Sequence, residues 1–292
     1  MIQFAEESMR GELRELWKEC FGDSNQYIDL YFGGYDISRH MLVFMDGEHP
    51  VSMLSLLPMT VVTPAGIMPA RYIYAVATKQ SYRGRGLSTK LIEYVHKYLK
   101  EQGVKLSVLV PASAQLYNFY GKRGFSAEFY SGQVIVERGR IPKFEGSFVI
   151  TDTTVQEFME IRERAFAGRT MFVRWDGDSL AYRMAETAFN GGETLTLATG
   201  DASHAVAVCY NRGGSVLLKE LAVDGMSVET ALAVLQQKFS ADEYHLRLPM
   251  DMHSPYPLKK AASGAACWYD ADARERVYRA GGAAPYISLV LD

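Results

Sequence analysis

The sequence predicts an α/β (α+β) fold of two units, each a mixed, mainly antiparallel sheet flanked by helices. Three observations carry this. The chain has 292 residues, and domains hold roughly 100–200 residues. Strand-type apolar runs alternate with stretches of helical period in both halves. A polar segment at 138–146, RGRIPKFEG, carries Pro142 and Gly146 and reads as a linker. The expected units are 1–140 and 141–292. Hydrophobic residues make up 48% and charged residues 22%, enough apolar material for two cores.

In the first half, 8–20 reads as an amphipathic helix with Leu13, Leu16 and Trp17 on one side. Asp23, Ser24 and Asn25 form a turn and a candidate N-cap. Tyr27, Leu30, Tyr31 and Phe32 follow at helical spacing until Gly33 and Gly34 stop that helix. Strands are expected at 41–45, at 51–62 with a local break at Pro58, and at 71–78. Asp46-Gly47 and 63–66 (TPAG) supply the turns. Leu87, Leu91, Ile92, Val95 and Leu99 then mark one face of a helix ending near Gly103. A strand at 106–110, a short helix at 114–122 and a strand pair reaching Val136 complete this half.

The second half reads as a strand at 148–151, helices at 155–166 and 179–189, and strands at 194–199, 204–210 and 216–223. A helix at 228–239 and strands at 244–248 and 287–291 close it. The halves share a rough order of elements without a convincing sequence repeat.

Composition removes several function classes. The net charge of −3 gives nucleic acid no broad attraction, so no nucleic-acid partner is expected. The first twenty residues have acidic groups and no apolar segment, unlike a secretory signal. No run of about 18 apolar residues occurs, so no membrane span is expected. Cys20, Cys209 and Cys267 are isolated and form no disulfide framework. A reduced, cytoplasmic setting is the expectation. With neither CxxC nor HExxH, and six scattered histidines, no metal site is expected.

The segment Arg83, Gly84, Arg85, Gly86, Leu87, Ser88 carries the chemistry. Glycines between a strand and a helix let the backbone approach a ligand and adopt positive φ. The first helical N–H groups have no internal partner, and the helix dipole adds partial positive charge. Arg83 and Arg85 add forked donors suited to phosphate oxygens. The expected ligand is a pyrophosphate. A P-loop would need GxxxxGK[ST], which is absent. A dinucleotide fold would need a third glycine where Ser88 and Thr89 stand. Taken alone, RGRG is usually a surface turn with solvated arginines.

Context adds to the loop. The stretch 75–125 resembles the GNAT superfamily, the Gcn5-related N-acetyltransferases. That family's signature, Arg/Gln-x-x-Gly-x-Gly/Ala after the fourth strand, is filled here by Arg83, Gly86 and Ser88, with serine a mild departure. Its second feature, a tyrosine followed after three residues by Gly-Phe, is Tyr120 with Gly124 and Phe125. The resemblance implies acetyl-CoA as cosubstrate. It places Val76, Ala77 and Thr78 beside the pantetheine arm, on a strand that is usually splayed there. Arg83 through Ser88, with Thr89, would hold the pyrophosphate, and Ser113 sits near a further cofactor contact. Tyr120 matches the tyrosine that protonates the departing thiolate. A phenol of ordinary pKa, about 10, is protonated near neutrality and able to do so.

The resemblance implies an N-acetyltransferase acting on a small-molecule or peptide amine by direct attack in a ternary complex. Two other functions stay open: a non-catalytic acyl-CoA-binding or sensing protein, and an aminoacyl-tRNA-dependent transferase on the same scaffold. Asp23, Glu7 and Glu48 are available acids, none marked as the base. The aromatic group Trp17, Phe21, Tyr27, Tyr31 and Phe32 could line an acceptor pocket, as could Trp175, Tyr182 and Arg183; helical spacing favours core packing for most of them. In the second half, Asp224, Gly225, Met226 and Ser227 stand where a second cofactor loop would be, without arginine or RxxGxG. One cofactor site per chain is therefore expected. The layout is similar to the tandem-GNAT enhanced intracellular survival family. That family's sterol-carrier-like domain is expected to be absent, which leaves open the role of the terminal carboxylate at Asp292, as well as the oligomeric state.

Overall fold

A computed structural model describes residues 1–291; the Asp292 carboxylate lies outside the described residues. The first half runs β1 (Ile2–Phe4), α1 (Arg10–Phe21), α2 (Asn25–Gly34), α3 (Ile37–His40), β2 (Met41–Asp46), β3 (His49–Thr63), β4 (Gly66–Thr78), α4 (Leu87–Glu101), β5 (Leu106–Leu109), α5 (Ala114–Gly121) and β6 (Ser126–Glu137). The second runs β7 (Phe148–Asp152), α6 (Val155–Ala165), β8 (Phe172–Arg174), α7 (Gly177–Phe189), β9 (Gly192–Thr199), β10 (His204–Asn211), β11 (Ser215–Asp224), α8 (Val228–Lys238), β12 (Glu243–Pro249), β13 (Lys259–Trp268) and α9 (Ala271–Ala280). No helix among the described residues is long and apolar enough to cross a membrane.

The mixed, mostly antiparallel α/β class is as expected, but the two halves share one sheet. Its strands run β1-β2-β3-β4-β5-β13-β6-β12-β11-β10-β9-β7, with β8 paired to β3. Strand β13 inserts between β5 and β6, pairing Ala265–Trp268 with Leu106–Leu109 and Lys259–Ala266 with Ser126–Gln133. On its other edge β6 pairs with β12. The segment 138–146 therefore links elements of one continuous sheet, and a cut at 140/141 leaves β13 and α9 packed with the first half. Sequence reasoning missed β13 because KKAASGAACW contains no β-branched residue. It is a strand because two flanking strands supply its hydrogen-bond partners. Residues 287–291, expected as a strand, form none.

Pro58 does not break β3. Strand β2 pairs with β3 only up to Ser55 and β8 only from Thr60, so one edge beside Pro58 is unpaired. A proline's missing N–H is tolerated there.

Three cores hold the layers. The largest draws on both halves, with Trp17 and Tyr31 against Phe158, Trp175 and Tyr182. A second lies under α8, and a third packs Leu91, Ile92, Val95 and Leu99 of α4 on Leu54, Ile73 and Phe125. Each such side chain contributes about 1.5–3 kcal/mol on burial. The α4 positions buried are those the periodicity assigned to its apolar face.

Candidate active site

The site begins at an irregularity in β4. Pairing with β3 passes from Ala77 opposite Met53 to Tyr74 opposite Ser55, so Ala75 and Val76 together face Leu54. This is a β-bulge, and Ala75 takes a left-handed φ of 50°. On the other edge, β4 pairs with β5 only over Ala70–Tyr72. Beyond that the two strands part. A cavity of about 540 Å³ fills the split, walled by Tyr74, Ala75 and Val76 on one side and Leu109, Val110, Pro111 and Ala112 on the other.

Tyr120 of α5 lines this cavity. It is 9% exposed, and burial pushes its phenol up to about 12, with the Arg123 charge opposing that shift. The group is therefore a protonated donor throughout the neutral range.

The loop before α4 gives the helix an open N-terminus. Gly84 and Gly86 have φ of 78° and 73°, a region that L side chains rarely adopt. Gly86 occupies the N-cap position without a side-chain cap. The first backbone bond of the helix runs from Lys90 N–H to the Gly86 carbonyl. The N–H groups of Leu87, Ser88 and Thr89 thus have no partner within the helix. Exposed Arg83 donates to the Thr78 carbonyl at 3.2 Å, and exposed Arg85 donates to the Ser81 carbonyl at 3.1 Å while lying over the Tyr82 ring.

Arg123, which sequence reasoning did not single out, ties the loop to Tyr120. Its Nε donates to Thr89 Oγ1 at 3.0 Å, Nη1 donates to the Phe119 carbonyl, and the guanidinium lies 3.4 Å from the Phe119 ring centroid. A cation just past the end of α5 also suits that helix's negative pole. One side chain so fixes the start of α4 relative to the residue preceding Tyr120.

Of the residues expected at the site, Val76 and Tyr120 meet at the cavity. Arg83 to Thr89 gather at the α4 N-terminus. Ala77 and Thr78 turn toward β3: Ser52 Oγ donates to the Ala77 carbonyl at 2.6 Å and lies 2.8 Å from Thr78 Oγ1. Ser113 caps α5 by accepting from Leu116 N–H at 3.3 Å. Among the acids considered, only Asp23 lines the cavity, where it accepts from Trp17 Nε1 at 2.7 Å. Glu7 is exposed and paired with Arg10, and Glu48 is exposed between β2 and β3.

The second half also reaches the cavity, through Phe189, Asn190 and Leu291. Its last residues are held by buried polar groups. Trp175 Nε1 donates to the Ser288 carbonyl at 3.1 Å and Arg183 Nε to the Leu289 carbonyl at 2.5 Å. Arg162 pairs with Glu220 at 2.7 Å, and the Ser288 hydroxyl joins both. Trp175 and Arg183 thus serve this anchorage and Tyr182 the core, whereas Tyr27 and Phe21 line the cavity.

At the start of α8, Ser227 accepts from Thr230 N–H at 3.0 Å, so that helix is capped by its own side chain. The counterpart loop has an N-terminus closed where α4's is open.

The class follows from this architecture together with sequence comparison. Residues 2–127 match the family described as acetyltransferase (GNAT) domain. The match lies in the first half of the chain and supports an acyltransferase. No curated protein matches it. Solved structures of similar fold include a chain from Enterococcus faecalis V583 described as a probable N-acyltransferase, with 18% identity and a TM-score of 0.75, covering 92% of this chain and 72% of that one. A GCN5-related N-acetyltransferase from Anabaena variabilis has 15% identity and a TM-score of 0.73, with coverage of 92% and 73%. Eis1 from Mycobacterium abscessus has 13% identity and a TM-score of 0.70, with coverage of 94% and 75%. The shared fold spans both halves of this chain.

Proposed function

We propose that this acyltransferase moves an acetyl group from acetyl-CoA to a primary amine of a small molecule or peptide, by direct attack in a ternary complex. The observation that carries the reading is the convergence of the β4 bulge and Tyr120 on one cavity in the split between β4 and β5. The residues present fit the cosubstrate. The open N-terminus of α4, with Arg83 and Arg85, offers N–H groups and charge to a pyrophosphate. The unpaired edge of β4 offers backbone groups to an amide-bearing arm.

In this reading the backbone N–H near Val76 polarises the thioester carbonyl. The acceptor loses a proton to solvent and attacks as the neutral amine, its surplus N–H proton leaves to solvent once the C–N bond has formed, and Tyr120, kept neutral by burial, donates its proton to the departing thiolate as the C–S bond breaks. Asp23 and the tyrosines across the cavity receive the amine. Among the described lining residues there is no lysine or arginine to repel an ammonium.

The test is thiol release from acetyl-CoA across a panel of amines, with the acetylated product identified by mass. The wild-type protein is expected to release thiol only when amine is present. Tyr120→Phe is expected to slow turnover by about 10²–10⁴-fold, the usual range for general acid catalysis, while acetyl-CoA still binds. Binding of acetyl-CoA without amine-dependent thiol release would overturn the reading in favour of an acyl-CoA-binding protein.

A further inference from the structure

The second half is joined to the acceptor side of the cavity through one helix pair. Helices α2 and α7 pack so closely at Gly34 that a Cβ there would lie 2.3 Å from Tyr182 Cδ2. Along the same contact, Arg183 Nη1 donates to the Tyr35 hydroxyl at 3.0 Å, and the Tyr27 ring lies 6.1 Å from that of Phe189. At the cavity end, the Tyr27 hydroxyl donates to Glu186 Oε1 at 2.6 Å. Glu186 is 9% exposed, whereas Tyr27 lines the cavity.

A phenol has one proton, and that of Tyr27 is given to Glu186 Oε1. With that proton directed at Glu186, the Tyr27 oxygen presents lone pairs to everything else. Tyr74, which also lines the cavity, lies 3.4 Å from it, hydroxyl to hydroxyl. Burial and the Glu186 charge both favour the neutral phenol of Tyr27, so the arrangement persists through the neutral range. Phe21, Tyr27, Tyr74 and Phe189 give the cavity aromatic walls, and aromatic faces attract cations.

We propose that Glu186, supplied by the second half, fixes Tyr27 as a hydrogen-bond acceptor and makes the pair the binding point for the ammonium group of the acceptor. This rests on the amine-acceptor reading above and extends it: Glu186 is a positioning residue acting through Tyr27, and the second half is part of the acceptor site. A hydrogen bond to a charged group is worth about 1.5–3 kcal/mol, or roughly tenfold or more in affinity.

The test uses the whole chain with CoA present and needs no turnover. Binding of hexylammonium chloride and of its neutral counterpart 1-hexanol is measured by ligand-observed NMR titration for the wild type, Glu186→Gln and Tyr27→Phe. Both variants are expected to lose about tenfold for hexylammonium and to bind hexanol as the wild type does. Wild-type affinity for hexylammonium in Glu186→Gln would overturn the proposal. So would an equal loss of both probes, because that would reflect disturbed packing rather than recognition of charge, or a wild type that does not prefer the ammonium. If the wild type prefers hexylammonium yet releases no thiol with any amine, the acetyl-transfer reading fails while the ammonium site stands.

Discussion

Replacing Arg83 and Arg85 together by alanine isolates what the loop contributes. In the free protein both guanidiniums are exposed: Arg83 donates to the Thr78 carbonyl and to Cys20 Sγ, and Arg85 donates to the Ser81 carbonyl while lying over the Tyr82 ring. Their loss should change folding stability by no more than about 0.5 kcal/mol. On a pyrophosphate each would make a charge-assisted bond worth about 1.5–3 kcal/mol, so the pair has a ceiling near 10²–10⁴-fold in affinity. Solvent exposure favours the lower end, about a hundredfold, and salt should weaken the wild type toward the variant. Residual binding should survive because the N–H groups of Leu87, Ser88 and Thr89 remain. Calorimetric titration with CoA measures the loss. The control is S-acetyl-N-acetylcysteamine, a thioester without pyrophosphate, whose KM should not change. An unchanged CoA affinity would refute the pyrophosphate assignment. A parallel rise in KM for the truncated thioester would show instead that the loop supports the reacting end.

Glu220→Ala leaves Arg162 buried without its carboxylate and should cost about 3–5 kcal/mol in urea unfolding, with Arg162→Met recovering much of it in the double variant; a cost below about 1 kcal/mol would argue against a buried charged pair. Gly34→Ala forces a Cβ against Tyr182 and should cost about 1–3 kcal/mol while raising the acceptor KM and sparing CoA affinity. Ser227→Ala removes the α8 cap and should cost about 1 kcal/mol without altering CoA binding. The phenols of Tyr31, Tyr35 and Tyr182 are all held above their ordinary value of 10.0, chiefly by burial. Groups whose folded pKa is raised stabilise the fold below the unfolded value, and that stability is lost as pH rises beyond it. Melting temperature should therefore fall steeply above about pH 10, with phenolate absorbance appearing together with unfolding and not before it.

What was legible in the sequence was local. The α4 face, the loop glycines and the register of Tyr120 against Gly124-Phe125 each lie within a short window, where periodicity and spacing speak directly. The Ser24 cap is of the same kind. Glu186 was not legible, because its partner Tyr27 is 159 residues away. One signal was available: an acid on the same buried helical stripe as Tyr182 and Arg183, where an unpartnered carboxylate would be costly. Arg123 was not singled out either, since it stands beside Lys122 with no local pattern to mark it. Its role depends on the end of α5 meeting the start of α4, which no local pattern reveals. Strand β13 failed for the opposite reason, since its local pattern argues against the structure that its neighbours impose.

The shared sheet explains why the halves differ in chemistry despite their similar order of elements. Both contain a strand leading through a glycine turn into a helix. In the first half the helix starts on a glycine with no side chain to close it, and β4 diverges from β5 to leave an edge free. In the second, Ser227 closes the helix, and Ser203 Oγ donates to the Gly225 carbonyl in the turn before it. That half instead spends its polar groups on holding 288–291 against the cavity and on setting Glu186 behind Tyr27. Because β13 and β12 are hydrogen-bonded to opposite edges of β6, the two halves cannot shift along one another without breaking a ladder. The cavity wall from the second half is therefore fixed relative to Tyr120 by backbone bonds. A cavity built across two halves then needs no closing motion to align its walls.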